Sequence, residues 1–435
     1  MDWVASLLIL IGLLLAGLAT GMPVAFVFLG IGIGGLYIVL GPPAMTLLAS
    51  GAFESVGQFA LVPVPLFILM GEILLRSGIA TMAIDAADRW IGRVPGRLAV
   101  STVAGGTMFG AISGSSMASV AMLGSVMLPE MERKHYDSRM SIASILGAGG
   151  LAVLIPPSAL GVLLGAIAQV SIAKLLIASL LPGLVLALVY AVYFIGRSWL
   201  TPSMAPAYVA EPVSLLVHLK TLLTMIPVVV LIVVVTGFIF FGIATPSESA
   251  AMGAVAAALL AAAYGRLTFA VIRSSLEATI TTSAMVLIII AGSTLYSQLL
   301  ASTGATSKLV EAVTSLDLHP IVMVIGMQVV VLIAGCFIDA VSIMLITVPI
   351  FMPIVAALGL DPIWVSVLIL IQLELAGITP PFGLLLFVLK GVRPDISTAT
   401  IYRAVVPVVL MQLFVAGLVM VFPGLALLLP NLMTR

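Results

Sequence analysis

Charge is what this sequence lacks. Only 8% of its 435 residues are Asp, Glu, Lys or Arg, against roughly 25% in a soluble globular domain. The 17 basic and 17 acidic residues cancel, so no net field points to nucleic acid or to an anionic surface. A single cysteine, Cys336, excludes an internal disulfide and a cysteine-based metal cage. The three histidines, His135, His218 and His319, lie in separate polar stretches, which argues against a histidine metal site. No GxxxxGK-Ser/Thr loop is present, which excludes ATP hydrolysis by that route. His135 and the serine-rich stretches thread into different compartments, which argues against a hydrolase triad. No enzyme constellation is left.

What is present is apolar. Hydrophobic residues make up 62% of the chain and the mean hydropathy is +1.34, so the solvent for most of the surface is lipid. A spanning helix needs about 20 apolar residues, and long apolar runs recur from one end of the chain to the other. The N-terminal run has no basic start of a signal peptide and is expected to stay attached as the first span. Two runs, 98–131 and 320–359, are too long for one crossing and too broken for one helix.

Cytoplasmic loops collect Lys and Arg. Arg89, Arg93 and Arg97 precede the 98–131 run, and Arg133, Lys134 and Arg139 follow it. Both of its ends are therefore expected in the cytoplasm. It enters and turns back at FGAISGSSMASV, where glycines and a serine cluster interrupt the apolar helix, as two half-helices. Threading the other runs from this anchor leaves only Lys174, Lys308 and Arg435 outside the cytoplasmic side.

An internal repeat emerges from the prolines. Pro129 pairs with Pro353, and Pro156 and Pro157 pair with Pro380 and Pro381, at a constant offset of 224 residues. The halves thread in opposite orientation, as inverted repeats of transporters do. The expected fold is an all-α membrane protein with an inverted repeat, of about ten transmembrane helices plus two re-entrant hairpins. Residues 1–196 form the first repeat, 197–220 a cytoplasmic linker with a surface helix, and 221–435 the second repeat.

Four stretches put helix breakers and polar groups at membrane depth, where unpaired backbone is tolerated only beside a cavity or inside protein. Ser113, Gly114, Ser115 and Ser116 form the first hairpin tip, whose hydroxyls and carbonyls suit a hard cation such as Na⁺; small residues serving only close helix packing are the alternative. Pro156 and Pro157 remove two backbone donors in succession and break a span near Ile155 and Ser158. Asp339, an acid among apolar neighbours and offset by 224 from Ser115, sits at the second tip. Gly377, Ile378, Thr379, Pro380 and Pro381 repeat the helix break in the second half. Glu374 either faces the cavity or braces the packing, while a structural hydrogen bond suits Glu72 and Glu248 better than a ligand role.

These stretches resemble a known family. GMPVAF at 21–26, VPLFILMGEIL at 64–74, FGAISGSSMASVAMLGSVMLPEM at 109–131, GGLAVLIPPS at 149–158, GIATPSESAA at 242–251, DAVSIMLITVPIFMP at 339–353 and ELAGITPPFGLLLFVLKG at 374–391 are similar to the large membrane subunit of tripartite ATP-independent periplasmic (TRAP) transporters. The resemblance implies a multi-pass protein of the bacterial inner membrane that imports organic acids with Na⁺ by an elevator mechanism. It implies two partners, a small four-helix membrane subunit (Q type) and a periplasmic substrate-binding protein (P type). It assigns cation and substrate binding to Ser113–Ser116, Ile155–Ser158, Asp339, Ser342 and Gly377–Pro381, with Na⁺ near Ser115, Ser116, Asp339 and Thr379. No cofactor beyond the coupling ion is implied. No fused four-helix portion precedes the first run, so a separate small subunit is expected. A stand-alone dicarboxylate or citrate carrier is the alternative within transport. An ion channel is disfavoured by the absence of a carbonyl-rich filter repeat.

Overall fold

Backbone in lipid has to satisfy its own hydrogen bonds, and this chain does so with helices. The computed structural model describes residues 3–79, 82, 94–206, 215–316, 318–336, 338–381 and 383–433, and among them it contains no strand. The first half comprises α1 (Trp3–Ala19), α2 (Val24–Leu40), α3 (Ala44–Val56), α4 (Pro63–Arg76), α5 (Arg97–Ser113), α6 (Ser116–Arg133), α7 (Ser138–Gly150), α8 (Ala159–Ile167) and α9 (Ile172–Leu200). The second half comprises α10 (Leu215–Phe240), α11 (Pro246–Ala263), α12 (Phe269–Ser302), α13 (Ala305–Thr314), α14 (Pro320–Gly335), α15 (Ala340–Ala357), α16 (Pro362–Ile378), α17 (Leu384–Val392), α18 (Thr398–Val421) and α19 (Gly424–Leu432). Among the described residues six helices are long and apolar enough to cross a membrane, and shorter apolar helices accompany them.

The helix starts follow from the sequence. Asp137 caps α7 and Asp361 caps α16, each accepting two backbone amides with one carboxylate oxygen. These two positions are again 224 apart. Thr245 and Glu248 close a reciprocal capping box at the start of α11, which gives Glu248 the structural role the sequence favoured for it.

Lipid supplies no hydrophobic force between helices, so close packing at small residues has to hold them together. The α2–α12 contact shows this reciprocally. A Cβ on Gly32 would lie 2.8 Å from Leu295, and one on Gly292 would lie 2.9 Å from Phe28. Phe28 also meets Tyr296 edge-on, with ring centroids 5.3 Å apart. Around this contact a smaller core gathers Leu10, Leu14, Leu36, Leu48 and Leu299. A larger core holds both hairpins and both proline-broken helices.

Polar contacts join the helix ends. Arg266 donates to the carbonyls of Ser77 and Gly78, both at 3.3 Å, which brings the ends of α4 and α11 to one side. Arg393, just after α17, grips Glu132 of α6 with two bonds of 3.0 and 2.9 Å.

Residues 44–56 form α3, and the C-terminal helices α18 and α19 are separated at Phe422 and Pro423. Within the stretch expected as the linker between halves, 197–220, α9 reaches Leu200 and α10 begins at Leu215. The surface helix expected there falls largely on residues outside the described ones, as do Arg89 and Arg93.

Candidate functional site

Both hairpins turn where glycine, serine or aspartate interrupts the apolar run. In the first, α5 ends at Gly114, whose φ of +59° lies in the left-handed region that glycine adopts freely. Ser115 then caps α6, its Oγ accepting the Ala118 amide at 3.3 Å. Ser113 Oγ accepts the Ser115 amide at 3.3 Å and lies 3.3 Å from Ser119 Oγ. In the second, Asp339 caps α15 by accepting the Val341 and Ser342 amides at 3.0 and 3.1 Å. The Ser342 hydroxyl donates to its other oxygen. Ser115 and Asp339 thus hold one structural position in two chemistries.

Each tip rests on the broken helix of its own half. A Cβ on Gly114 would lie 3.3 Å from the Pro157 carbonyl oxygen. The Cys336 thiol, one residue beyond α14, donates to the Pro380 carbonyl at 3.5 Å. Ser158 caps α8 through the Gly161 amide at 3.1 Å. The second break is held by Thr379, whose hydroxyl donates to the Leu375 carbonyl at 2.6 Å, and by Tyr402, whose hydroxyl donates to the Pro381 carbonyl. Four helix ends and four helix starts therefore converge, which concentrates unpaired carbonyls and amides in one place.

A cavity of about 260 Å³ lies at this convergence. Of the residues the sequence singled out, Ser113, Gly114, Ser115, Ser116, Asp339 and Gly377 line it. Ile155, Pro156, Pro157, Ser158, Ser342, Ile378, Thr379, Pro380 and Pro381, also singled out by the sequence, are not among the lining residues. Glu374 and Glu72 also reach the wall. Glu72 pairs with Arg76 at 2.6 Å, so its structural bond and its place at the wall coexist. Glu374 is 2% exposed and accepts a hydrogen bond from Ser116 at 3.1 Å, which ties the first tip to the second half.

The sequence reading missed the far wall. Val64, Ile68 and Gly71 of α4 and Thr282, Met285 and Val286 of α12 face the cavity from unbroken helices. The hydroxyl cluster TITTS at 279–283 is the signal that marks α12; the α4 residues carry none beyond Glu72. The cavity is therefore a seam between continuous helices on one side and interrupted ones on the other.

Comparison with known proteins decides the family. A family model described as "Tripartite ATP-independent periplasmic transporter, DctM component" matches residues 11–425. The chain belongs to this family. It is 34% identical over 402 residues to the C4-dicarboxylate TRAP transporter large permease protein DctM of Pseudomonas aeruginosa, covering 92% of each chain. It is 31% identical to the ectoine TRAP transporter large permease protein TeaC of Halomonas elongata, covering 98% of each. The Alcanivorax borkumensis YdaH transporter structure superposes with a TM-score of 0.60 over 89% of this chain and 90% of that one; at 15% identity the likeness is one of fold. As a TRAP large permease subunit, the chain is an integral inner-membrane protein of a transport system for organic solutes.

Proposed function

We propose that this subunit imports carboxylate-bearing organic solutes together with Na⁺, by movement of the hairpins and broken helices against the continuous ones. The observation that carries the reading is a cavity lined by two hairpin tips, two helix breaks and a smooth far wall. Helix starts at Ser116, Ala159, Ala340 and Leu384 surround it, and helix N-termini favour a carboxylate. Hydroxyls of Ser115 and Ser116, the Asp339 carboxylate and backbone carbonyls offer oxygen to a hard cation. Na⁺ travels as co-transported cargo, and no step requires bond-making.

The lining separates into a side that binds and a side that slides. Glycine at 71 lets α4 approach the Ser113 carbonyl closely, since a Cβ there would lie 3.0 Å from it. Apolar Val64, Ile68, Met285 and Val286 make no directional bond that would hold a moving partner at one height. A small four-helix membrane subunit supports the continuous helices, and a periplasmic binding protein delivers the solute.

Uptake in proteoliposomes tests the reading. The expected result is solute accumulation that requires an inward Na⁺ gradient and the cognate binding protein. Accumulation without a Na⁺ gradient overturns the coupling, and accumulation by this chain alone favours a stand-alone carrier.

A further inference from the structure

The second hairpin carries a backbone carbonyl that its own helix cannot bond. Pro349 lies inside α15, and a proline has no amide to donate to the carbonyl four residues back. That carbonyl belongs to Leu345, which is 1% exposed, so solvent does not reach it. A buried carbonyl without a partner costs free energy comparable to a lost hydrogen bond. The partner comes from another helix. Ser293 of α12 donates its hydroxyl to the Leu345 carbonyl at 3.1 Å, in the interior and 52 residues away along the chain.

Other hydroxyls of α12 behave differently. Those of Thr279, Thr281 and Ser302 bond carbonyls one turn back, at Ser275, Glu277 and Leu299, as hydroxyls in helices commonly do. Ser293 instead turns to a different element, and it does so at the seam. The smaller core is built from α1, α2, α3, α12 and α13, and among the described residues Leu345 is the one buried member that a hairpin supplies. The related positions in the first half, 224 residues earlier, hold neither part of this pair. Leu69 on α4 has no hydroxyl, and Ser125 on α6 keeps the amide that a proline lacks. The Ser125 hydroxyl bonds the Met122 carbonyl of its own helix.

We propose that Ser293 is a positioning residue: its bond to the freed carbonyl latches the second hairpin to α12 at one height, and it breaks when the hairpin moves. The proposal rests on the movement reading above, which puts α12 and α15 on opposite sides of the seam. Apolar side chains at the seam slide without preference, so a directional bond between the two sides singles out one position along the path. Proline at 349 makes that bond possible without competition, because the amide that would otherwise occupy the Leu345 carbonyl is absent.

Electron spin resonance distance measurements on the full chain in lipid nanodiscs, with Na⁺ present and no solute, test the latch. Spin labels on Ser302→Cys and Ala357→Cys, both exposed positions, report the height of α15 against α12 in a Cys336→Ser background. Two distances are expected, one of them that of this structure. Ser293→Ala is expected to lower the share of that distance about threefold relative to the other, the worth of an average hydroxyl bond between membrane helices. In a Pro349→Ala background the new amide serves the Leu345 carbonyl, and Ser293→Ala is expected to shift the ratio much less. A second distance that emerges only in Ser293→Ala also supports the latch. Equal shifts in the two backgrounds assign the effect to packing at Ser293 and overturn it. So does a ratio that ignores Ser293→Ala while both distances persist. A single distance in the wild type and every variant fails the movement reading itself, and the latch with it.

Discussion

The two halves of this molecule repeat one plan and depart from it in two informative places. One departure is at the tips. The first hairpin turns through a left-handed glycine and is capped by a neutral serine, whereas the second is capped by aspartate with both oxygens engaged. The other is in the framework. In the first half, α3 and α4 are separated by a bend at residues 57–62, while the corresponding stretch of the second half is one helix, α12, of 34 residues. Chemistry therefore differs where the halves meet the cavity, and stiffness differs where they carry it.

The comparison breaks outright if the hairpins do not enter from opposite faces. In a Cys336→Ser background, cysteines placed beside Arg97 and Arg133 are expected to label only from the cytoplasm, and cysteines beside Pro320 and Leu358 only from the periplasm. A pair split between faces makes that hairpin a crossing.

A smaller but still severe effect is expected at Gly335. A Cβ there would lie 2.0 Å from that of Ala376, so Gly335→Val is expected to destabilise by about 3 kcal/mol or more through overpacking. The related position, Ala111, already carries a side chain, and Ala111→Gly is expected to cost about 1 kcal/mol. Thermal unfolding in detergent measures both, and equal losses would erase the asymmetry.

At the tips, Asp339→Ala is expected to lower stability by about 1–2 kcal/mol through loss of the helix cap, and to weaken the apparent Na⁺ affinity of uptake about tenfold, or about 1.4 kcal/mol. Ser115→Ala is expected to act in the same direction and by less, because its cap bond is longer and uncharged. Unchanged Na⁺ titrations in both variants remove the tips from the cation site.

The smallest effect concerns the ion cluster that joins the halves outside the membrane. Arg393, bonded to Asp395 and Glu132, holds the Asp395 carboxyl down at about 2. A lowered carboxyl contributes stability above its unfolded value of about 3.9 that is lost as pH falls through the folded one. The contribution of this exposed group is thus constant from pH 8 to pH 5 and fades only below pH 4. Asp395→Asn is expected to leave the melting temperature nearly unchanged at neutral pH and to flatten its fall in acid.

The parts legible in the sequence were those marked by residue types rare in an apolar chain. Consecutive prolines located both helix breaks, and SGSS and Asp339 located the tips, because each interrupts hydrogen bonding that lipid cannot replace. The capping role of Glu248 was legible for the same reason. The helix α3 was not, since its composition is neither apolar enough for a span nor polar enough for a loop. The Ser116–Glu374 bond joins residues 258 apart, and nothing local encodes it. The need for glycine at 150 appears only when the carboxyl from the other half fills its place.

The unbroken α12 also sets how the gene can change length. The bend at residues 57–62 can take up an added residue and return α4 to its register. An insertion in α12 before residue 282 has no bend to absorb it, and every later side chain turns by about 100°. Thr282, Met285 and Val286 would leave the cavity together, along with the Leu295, Tyr296 and Leu299 contacts to α2. Length variation is expected to be confined to one half of a molecule whose halves share a plan.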